Sequence, residues 1–182
     1  MSKKYWDDTV KIYCTEISPG EIFITDECES AVTTVGSNIA VCIRDSESGI
    51  GGMSNFLLPS SDTTAYTESK HRFSYYMLDT MVKTIKGLSN NKTKLEAKLF
   101  GGSKIDDGTT DNALANIDFI SQYLEKKSIP LIRKSIGGHH ARKVYFIPAN
   151  GNVEMKKLSA DQKDIFKQEV RYRNRIKKAK VG

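Results

Sequence analysis

Long hydrophobic runs are absent from this sequence of 182 residues. No apolar stretch approaches the roughly 20 residues that a membrane-spanning helix needs, and the stretch MSKKYWDDTV lacks the apolar core of a signal peptide. Cysteine is also scarce, because Cys14, Cys28 and Cys42 are an odd set without the close pairing of a zinc site. These absences argue against a membrane-spanning or secreted chain and predict a cytoplasmic protein with reduced thiols.

The composition is that of an ordinary folded domain, with 38% hydrophobic and 27% charged residues. The length suits one domain with a proper core, without internal repeats or low-complexity segments. The net charge of +6 is unevenly distributed, because the last twelve residues contain six basic side chains and no acidic one. These are Arg171, Arg173, Arg175, Lys177, Lys178 and Lys180. The other 22 basic residues match the 22 acidic residues, so the basicity belongs to a tail.

The basic tail allows two interpretations. Nucleic acid, an acidic protein surface or an anionic lipid would each accept a segment in which basic residues alternate with Tyr and Ile. The simpler interpretation is a solvated helix end whose bases suit the C-terminal dipole, and this is the one we favour. The sequence therefore predicts a folded domain over residues 1–158 and a C-terminal helix with a basic tail over residues 159–182.

Hydrophobic periodicity predicts several short strands and two main helices. The predicted strands are residues 10–13, 21–25, 39–43, a second apolar run that ends at Pro59, 95–100, 129–133, 143–147 and 153–158, and the predicted helices are 67–88 and 112–127. This order predicts an α+β fold, a single-domain layered α/β sandwich of mixed strands.

The stretch from Val32 to Pro59 organises the rest of the chain. Two threonines and a Gly36-Ser37 turn precede an apolar run, and a polar turn follows before the second apolar run. Short β-rich runs bounded by Gly, Asp and Ser predict strand, turn and strand. Asn38 and Asn55 lie where the two strands begin or re-enter.

This stretch resembles the core of the CheD family, the chemoreceptor glutamine deamidases of bacterial and archaeal chemotaxis. That family reads Thr-x-Gly-x-Gly-Ser-Cys, an apolar strand, and then Gly-(x)-Met-x-His-x-x-Leu-Pro. The matching letters here are GSNIAVC at 36–42 and GGMSNFLLP at 51–59. Further similar segments are Arg72-Phe73, residues 98–102, residues 128–131, and residues 137–148 from Gly137-Gly138 to Pro148. The resemblance extends over roughly residues 10–158.

The resemblance also shows where this chain departs from the family. Asn38 stands where the family has its nucleophilic Cys, Asn55 where it has its His, and Val32 where it has the Thr that orients the His. An asparagine amide neither ionises near pH 7 nor returns a proton, and valine offers no hydrogen bond. We therefore interpret the chain as a pseudoenzyme. Thr33 or Thr34 replaces the missing threonine if the loop is shifted by one residue.

Six further residues are candidates for a substrate groove or for its turns: Gly36, Ser37, Gly101, Gly102, Gly137 and Gly138. Cys42 lies about 13 Å along the strand from Asn38 and is interpreted as a buried strand residue. His139 and His140 follow a glycine turn and are interpreted as solvated. We expect no metal and no cofactor.

The resemblance implies two partners, the cytoplasmic helices of a chemoreceptor and a CheC-type phosphatase. The favoured hypothesis is a catalytically inactive homologue that keeps one or both binding surfaces. The alternative is an active glutamine deamidase that uses other residues, whose activity a thiol alkylator would leave unchanged. A third is a basic-tailed scaffold outside chemotaxis, marked by steep salt dependence of polyanion binding. Repair by Asn38→Cys, Asn55→His and Val32→Thr is predicted if the scaffold still binds a receptor helix.

Overall fold

The computed structural model describes residues 3–58, 72–90, 93–105, 110–159 and 162–179. Within these ranges the chain forms ten strands and three helices. The strands are β1 Lys3–Asp7, β2 Ile12–Glu16, β3 Ile22–Thr25, β4 Ser30–Val35, β5 Ile39–Asp45, β6 Gly51–Phe56, β7 Leu95–Gly101, β8 Leu131–Ile136, β9 Arg142–Ile147 and β10 Asn152–Lys157. The helices are α1 Arg72–Leu88, α2 Thr110–Lys126 and α3 Lys163–Ala179.

The strands form two mixed sheets of five strands each. The first sheet has the order β1-β2-β4-β9-β10, in which β2 and β4 are parallel. The second sheet has the order β3-β6-β5-β7-β8, in which β7 and β8 are parallel. All other neighbouring pairs are antiparallel. The α+β fold class predicted from the sequence is confirmed.

The second sheet is the middle layer, and its strand β5 shows why. Ile39, Val41 and Ile43 pack into one core cluster with apolar residues of α1 and α2. Ala40 and Cys42, which alternate with them, pack into a second cluster with residues of β4 and β9. A strand buried on both faces needs apolar residues at every position, which explains the unbroken apolar run in the sequence.

Two strands and some element bounds differ from the sequence prediction. The segments that form β1 and β4 were not predicted as strands, because β1 is rich in charge and β4 is rich in Ser and Thr. Pairing overrides these weak propensities, since β4 lies between β2 and β9 and is largely buried. Helix α3 spans Lys163–Ala179, within the predicted C-terminal segment 159–182, of which residues 160, 161 and 180–182 lie outside the described residues. The predicted helical residues 67–71 and the predicted strand end at Pro59 lie outside the described residues.

The β5–β6 turn contains a buried carboxylate, and it predicts a pH dependence. The backbone N–H of Lys94 and the Ser48 hydroxyl donate to Asp45 at 2.8 and 2.6 Å. Burial alone raises the pKa of Asp45, but the Ser48 hydroxyl and the N–H groups of Lys94, Glu47 and Ser48 outweigh it and hold the pKa at about 2. Because the folded pKa is lowered, this stabilisation is present above the unfolded pKa of about 3.9 and is lost as the pH falls through about 2.

We therefore expect Asp45→Asn to lower the free energy of unfolding by about 1–2 kcal/mol at pH 7. The difference from the parent protein should shrink between about pH 4 and pH 2, and urea unfolding across that range measures it. The exposed Asp26 provides the control, since Asp26→Asn should change the stability by less than about 0.5 kcal/mol. An Asp45→Asn variant whose deficit is the same at all pH values would contradict this prediction.

Candidate functional site

The loop that joins β4 to β5 is the centre of the candidate site. Its three residues are Gly36, Ser37 and Asn38, and the side chains of Ser37 and Asn38 are fully buried. The loop is held from the end of β7, because the N–H of Gly102 donates to the Asn38 carbonyl and that of Ser103 to the Gly36 carbonyl, both at 2.8 Å. The fold therefore fixes the backbone at Asn38 before any side chain contributes.

Asn38 and Asn55, which are 17 positions apart in the sequence, meet in the interior. The Asn38 side-chain amide donates to Oδ1 of Asn55 at 2.8 Å. The Asn55 amide in turn donates to Oγ1 of Thr33 at 2.9 Å, and the Thr33 hydroxyl donates to the Ile17 carbonyl at 2.8 Å. These contacts form a directed hydrogen-bond chain from the 36–38 loop through β6 to β4.

The third member of this chain is Thr33, one residue after Val32. Successive side chains on a strand point to opposite faces, so Val32 lies on the other face of β4 from Thr33. Both side chains are buried. Thr33 therefore supplies the hydroxyl beside Asn55 that Val32 does not offer, and the Asn55 amide donates to it.

The two asparagines bring neutral amide groups to the site. An amide does not ionise near neutral pH, and its nitrogen is a poor nucleophile. The Oδ1 atom of Asn38 is buried and has no hydrogen-bond partner among the described residues. The site therefore has an unpaired acceptor, but the Asn38–Asn55–Thr33 chain contains no ionisable group.

A carboxylate from α3 occupies the other side of the loop. The Gly36 N–H donates to Oε1 of Glu169 at 2.8 Å and the Asn38 N–H donates to the same oxygen at 3.2 Å. The N–H and hydroxyl of Ser37 donate to Oε2 at 3.0 and 2.5 Å. Glu169 is only 2% exposed. Three consecutive N–H groups that converge on one acceptor form an anion-binding nest, and here Glu169 fills it.

Arg173 lies one helical turn beyond Glu169 and is also buried. Its Nη2 atom is 3.4 Å from Oγ of Ser37. Burial lowers the pKa of the Arg173 guanidinium, and the Glu169 carboxylate opposes that shift. The prediction of a solvated tail is therefore wrong at Arg173, because this side chain is buried beside the Glu169 carboxylate. Arg171, Arg175 and Lys178 are exposed, as a solvated helix end requires.

Asn116 of α2 connects the loop to the end of the β6 segment. Its amide donates to the Ser37 carbonyl at 2.8 Å, and its Oδ1 accepts from the N–H of Leu58 at 2.7 Å. The side chain is 1% exposed and both of its polar atoms are paired. Asn116 therefore positions the loop from the helical layer.

The two predicted glycine pairs are neighbours in the structure. The N–H of Gly137 donates to the Gly101 carbonyl at 2.9 Å, which sets the second pair against the first. The buried Arg142 donates to the Gly137 carbonyl at 2.9 Å and also to Oγ of Ser103. Gly36, Ser37, Gly101 and Gly102 line or support the site directly, whereas Gly137 contacts Gly101 and the Gly138 carbonyl accepts from the N–H of Lys104.

The other candidates lie away from the loop. Cys42 is 1% exposed within the inter-sheet core, and burial raises the pKa of its thiol far above the usual range. His139 and His140 are exposed, as predicted. In the described part of the chain, no three His, Cys, Asp or Glu side chains are grouped as for a metal ion. No helix among the described residues is long and apolar enough to cross a membrane.

A cleft of about 710 Å³ reaches the site between α3 and the segment that follows β2. Asn55 and Thr34 are among the residues that line it. Tyr172 forms part of the wall so closely that a Cβ placed on Gly20 would lie 1.6 Å from its hydroxyl oxygen. The charged residues that line the cleft are Lys3, Arg171, Arg175, Glu16 and Glu21. Helix α3 therefore covers the site and narrows the approach to it.

Sequence reasoning missed the part that α3 plays. Glu169 is 131 positions from Asn38, and no local motif joins the two residues. One signal was available, because Glu169 and Arg173 are four residues apart and share one helix face. An acidic residue four positions before a base is also typical of an exposed ion pair, so this signal alone does not mark a buried face.

Comparison with known proteins supports the resemblance seen in the sequence. Residues 57–157 match the family model described as CheD chemotactic sensory transduction. A Chromobacterium violaceum protein named "Probable chemoreceptor glutamine deamidase CheD 2" is 38% identical over 179 residues, which cover 96% of this chain and 88% of that protein. A Caulobacter vibrioides protein named "Probable chemoreceptor glutamine deamidase CheD" is 35% identical over 162 residues, or 88% and 87% of the two chains.

A third relative, from Halorhodospira halophila, has the same name as the Caulobacter protein. It is 31% identical over 186 residues, which cover 98% of this chain and 86% of the relative. These matches extend over nearly the full length of the chain and include the loop, both sheets and the helices. The chain is therefore a member of the CheD family of chemotaxis proteins, homologous to the chemoreceptor glutamine deamidases.

Proposed function

We propose that this CheD-family protein acts by binding rather than by deamidation. Its partner would be the cytoplasmic helices of a chemoreceptor, a CheC-type phosphatase, or both. The observation that carries the proposal is the hydrogen bond between Asn38 and Asn55, at the positions where the resemblance places the nucleophile and the base. The relatives are named as glutamine deamidases of chemoreceptors, which supports the choice of the receptor as a partner.

The chemistry of deamidation explains why this observation counts against turnover. Hydrolysis of a glutamine amide through an acyl-enzyme needs a nucleophile and a base that takes up and returns its proton. Asn38 and Asn55 supply neither of these functions. Loss of one member of such a unit typically costs orders of magnitude in rate, and further losses add little.

The charge at the loop opposes the reaction as well. The tetrahedral intermediate of acyl transfer carries an oxyanion, which enzymes stabilise with backbone N–H donors near the nucleophile. Here the N–H groups of Gly36, Ser37 and Asn38 already donate to the Glu169 carboxylate. A second negative charge would have to displace this carboxylate before those donors were free.

No cysteine thiol lies at the site among the described residues. Cys42 and Cys14 are both buried, and burial raises the pKa of each thiol, which disfavours the reactive thiolate. Cys28 is exposed and lies in the segment before β4. These placements support binding over deamidation by one of the three cysteines.

Mass spectrometry of a receptor cytoplasmic fragment tests the proposal. We expect no conversion of glutamine to glutamate after incubation with the protein, while the fragment co-elutes with it in size-exclusion chromatography. A CheD-family deamidase with an intact Cys and His, assayed on the same fragment, is the positive control.

Conversion by this protein would contradict the proposal and direct attention to an unrecognised nucleophile. Iodoacetamide treatment would then show whether a thiol is involved. Absence of binding to both the receptor fragment and a CheC-type phosphatase would also overturn the proposal. We place the protein with these partners in the cytoplasm, where the receptor helices lie.

A further inference from the structure

The buried contact between Glu169 and the 36–38 loop has the composition of a ligand site. Four hydrogen-bond donors of the described residues converge on the carboxylate: the N–H groups of Gly36, Ser37 and Asn38, and the Ser37 hydroxyl. Each Glu169 oxygen accepts two of these four hydrogen bonds. Hydrogen bonds to an ionised acceptor are roughly twice as strong as neutral ones.

This arrangement distinguishes a carboxylate from a carboxamide. A carboxylate has two acceptor oxygens, whereas a glutamine amide has one acceptor and an NH₂ group that only donates. The NH₂ group would face N–H donors of the loop and leave them unpaired in a buried place. The loop therefore favours glutamate over glutamine.

Arg173 adds a positive charge at the same place. Its Nη2 atom approaches the Ser37 oxygen, and its Nε atom is buried without a hydrogen-bond partner among the described residues. A guanidinium next to these convergent N–H donors increases the preference for an anion.

Helix α3 is attached to the domain in an unusual way. Among its described side chains, the two that are buried are Glu169 and Arg173, whereas Ile165, Phe166 and Val170 are half-buried. None of the α3 side chains that the structure describes belongs to either hydrophobic core cluster. An element without core residues belongs to the part of a fold that opens at low free-energy cost.

We propose that the 36–38 loop is a carboxylate-binding site which the chain fills with its own Glu169, so that α3 is an internal competitor for an external carboxylate. The external ligand is the side chain of a glutamate or aspartate presented by another protein. It reaches the loop through the cleft beside Asn55 when α3 moves away. That the glutamate belongs to a receptor helix rests on the proposed function, whereas the carboxylate site itself does not.

Chemical rescue tests the site without any receptor. The Glu169→Ala variant lacks the carboxylate that fills the nest. We expect sodium acetate, at a concentration that nearly saturates the nest, to raise the midpoint of thermal unfolding of this variant by about 2–4 °C. Acetamide, which has the same shape with one NH₂ group, should produce no such rise, nor should sodium chloride at the same ionic strength. The parent protein and Asp164→Ala, which removes an exposed carboxylate from the same helix, should not respond to acetate.

A second variant decides the outcome if Glu169→Ala does not fold. Glu169→Gln keeps the length of the side chain and replaces the carboxylate with a carboxamide inside the intact nest. We expect its midpoint to lie several degrees below that of the parent protein. A Glu169→Gln variant as stable as the parent, or a folded Glu169→Ala that gains as much from acetamide as from acetate, would overturn the proposal.

Discussion

A variant with Asn38→Cys, Asn55→His and Glu169→Ala is expected to release ammonia from receptor glutamines. We expect it to do so at least about 10²-fold faster than the variant that has the first two substitutions and keeps Glu169. The new thiol and imidazole supply the nucleophile and base, and loss of the carboxylate frees the loop N–H groups for the oxyanion. Ammonia release and mass spectrometry of the receptor fragment measure both rates.

The thiol introduced at position 38 gives a second measurement that needs no receptor. A neighbouring carboxylate disfavours a thiolate, so the variant that keeps Glu169 should be alkylated at higher pH than the variant that lacks it. Adding Val32→Thr is the control on geometry, because Val32 lies on the far face of β4 and Thr33 already supplies a hydroxyl beside position 55. That addition should not raise the rate.

Two outcomes would count against this account. The first is a folded variant that binds the receptor fragment, has a reactive thiol at position 38 and releases no ammonia. The second is equal activity with and without Glu169, which would show that the carboxylate does not compete for the donors used in the reaction.

Replacement of Gly101 by alanine is expected to lower the free energy of unfolding by about 3 kcal/mol or more. Gly101 has a φ of 116°, a backbone conformation that residues other than glycine rarely adopt. A Cβ there would lie 2.3 Å from the carbonyl oxygen of Asn38, which is backbone and cannot move aside without shifting the loop. Urea unfolding at pH 7 measures the loss from the transition midpoint at a constant slope.

Gly138 provides a matched control for this substitution. It also has a positive φ, 74°, but a Cβ there would meet no atom within 4 Å. Gly138→Ala should therefore cost about 1–2 kcal/mol, from the backbone conformation alone. Equal losses in the two variants would mean that the close approach to Asn38 does not matter.

Much of the fold could be predicted from local sequence patterns. The apolar run of β5 and the helical periodicity of α1 and α2 can each be recognised within the segment itself, because burial determines the spacing of apolar residues. The segments β1 and β4 do not, because β1 is an edge strand with charged residues and β4 owes its burial to its neighbours β2 and β9. A central position in a sheet is not encoded in six residues of Ser, Thr, Ala and Val.

The site was predictable to the extent that it repeats a family pattern. The pattern placed Asn38 and Asn55 together, and the structure joins them with a hydrogen bond. It could not decide between Val32 and Thr33, because a shift of one residue turns the opposite face of a strand toward the site. The contact with Glu169 could not be predicted from the family pattern, because it depends on where α3, more than 100 residues later in the chain, packs on the domain.

The docking of α3 through Glu169 and Arg173 also bears on how the molecule changes over evolution. The described side chains of α3 contribute no residue to the two core clusters of the sandwich, so we expect most substitutions in α3 to leave the packing of the sheets and of α1 and α2 unchanged. Evolution can therefore change the side chains of α3 that cover the 36–38 loop without changing the two sheets that hold the loop. Substitutions in this one helix can therefore change which groups the 36–38 loop accepts.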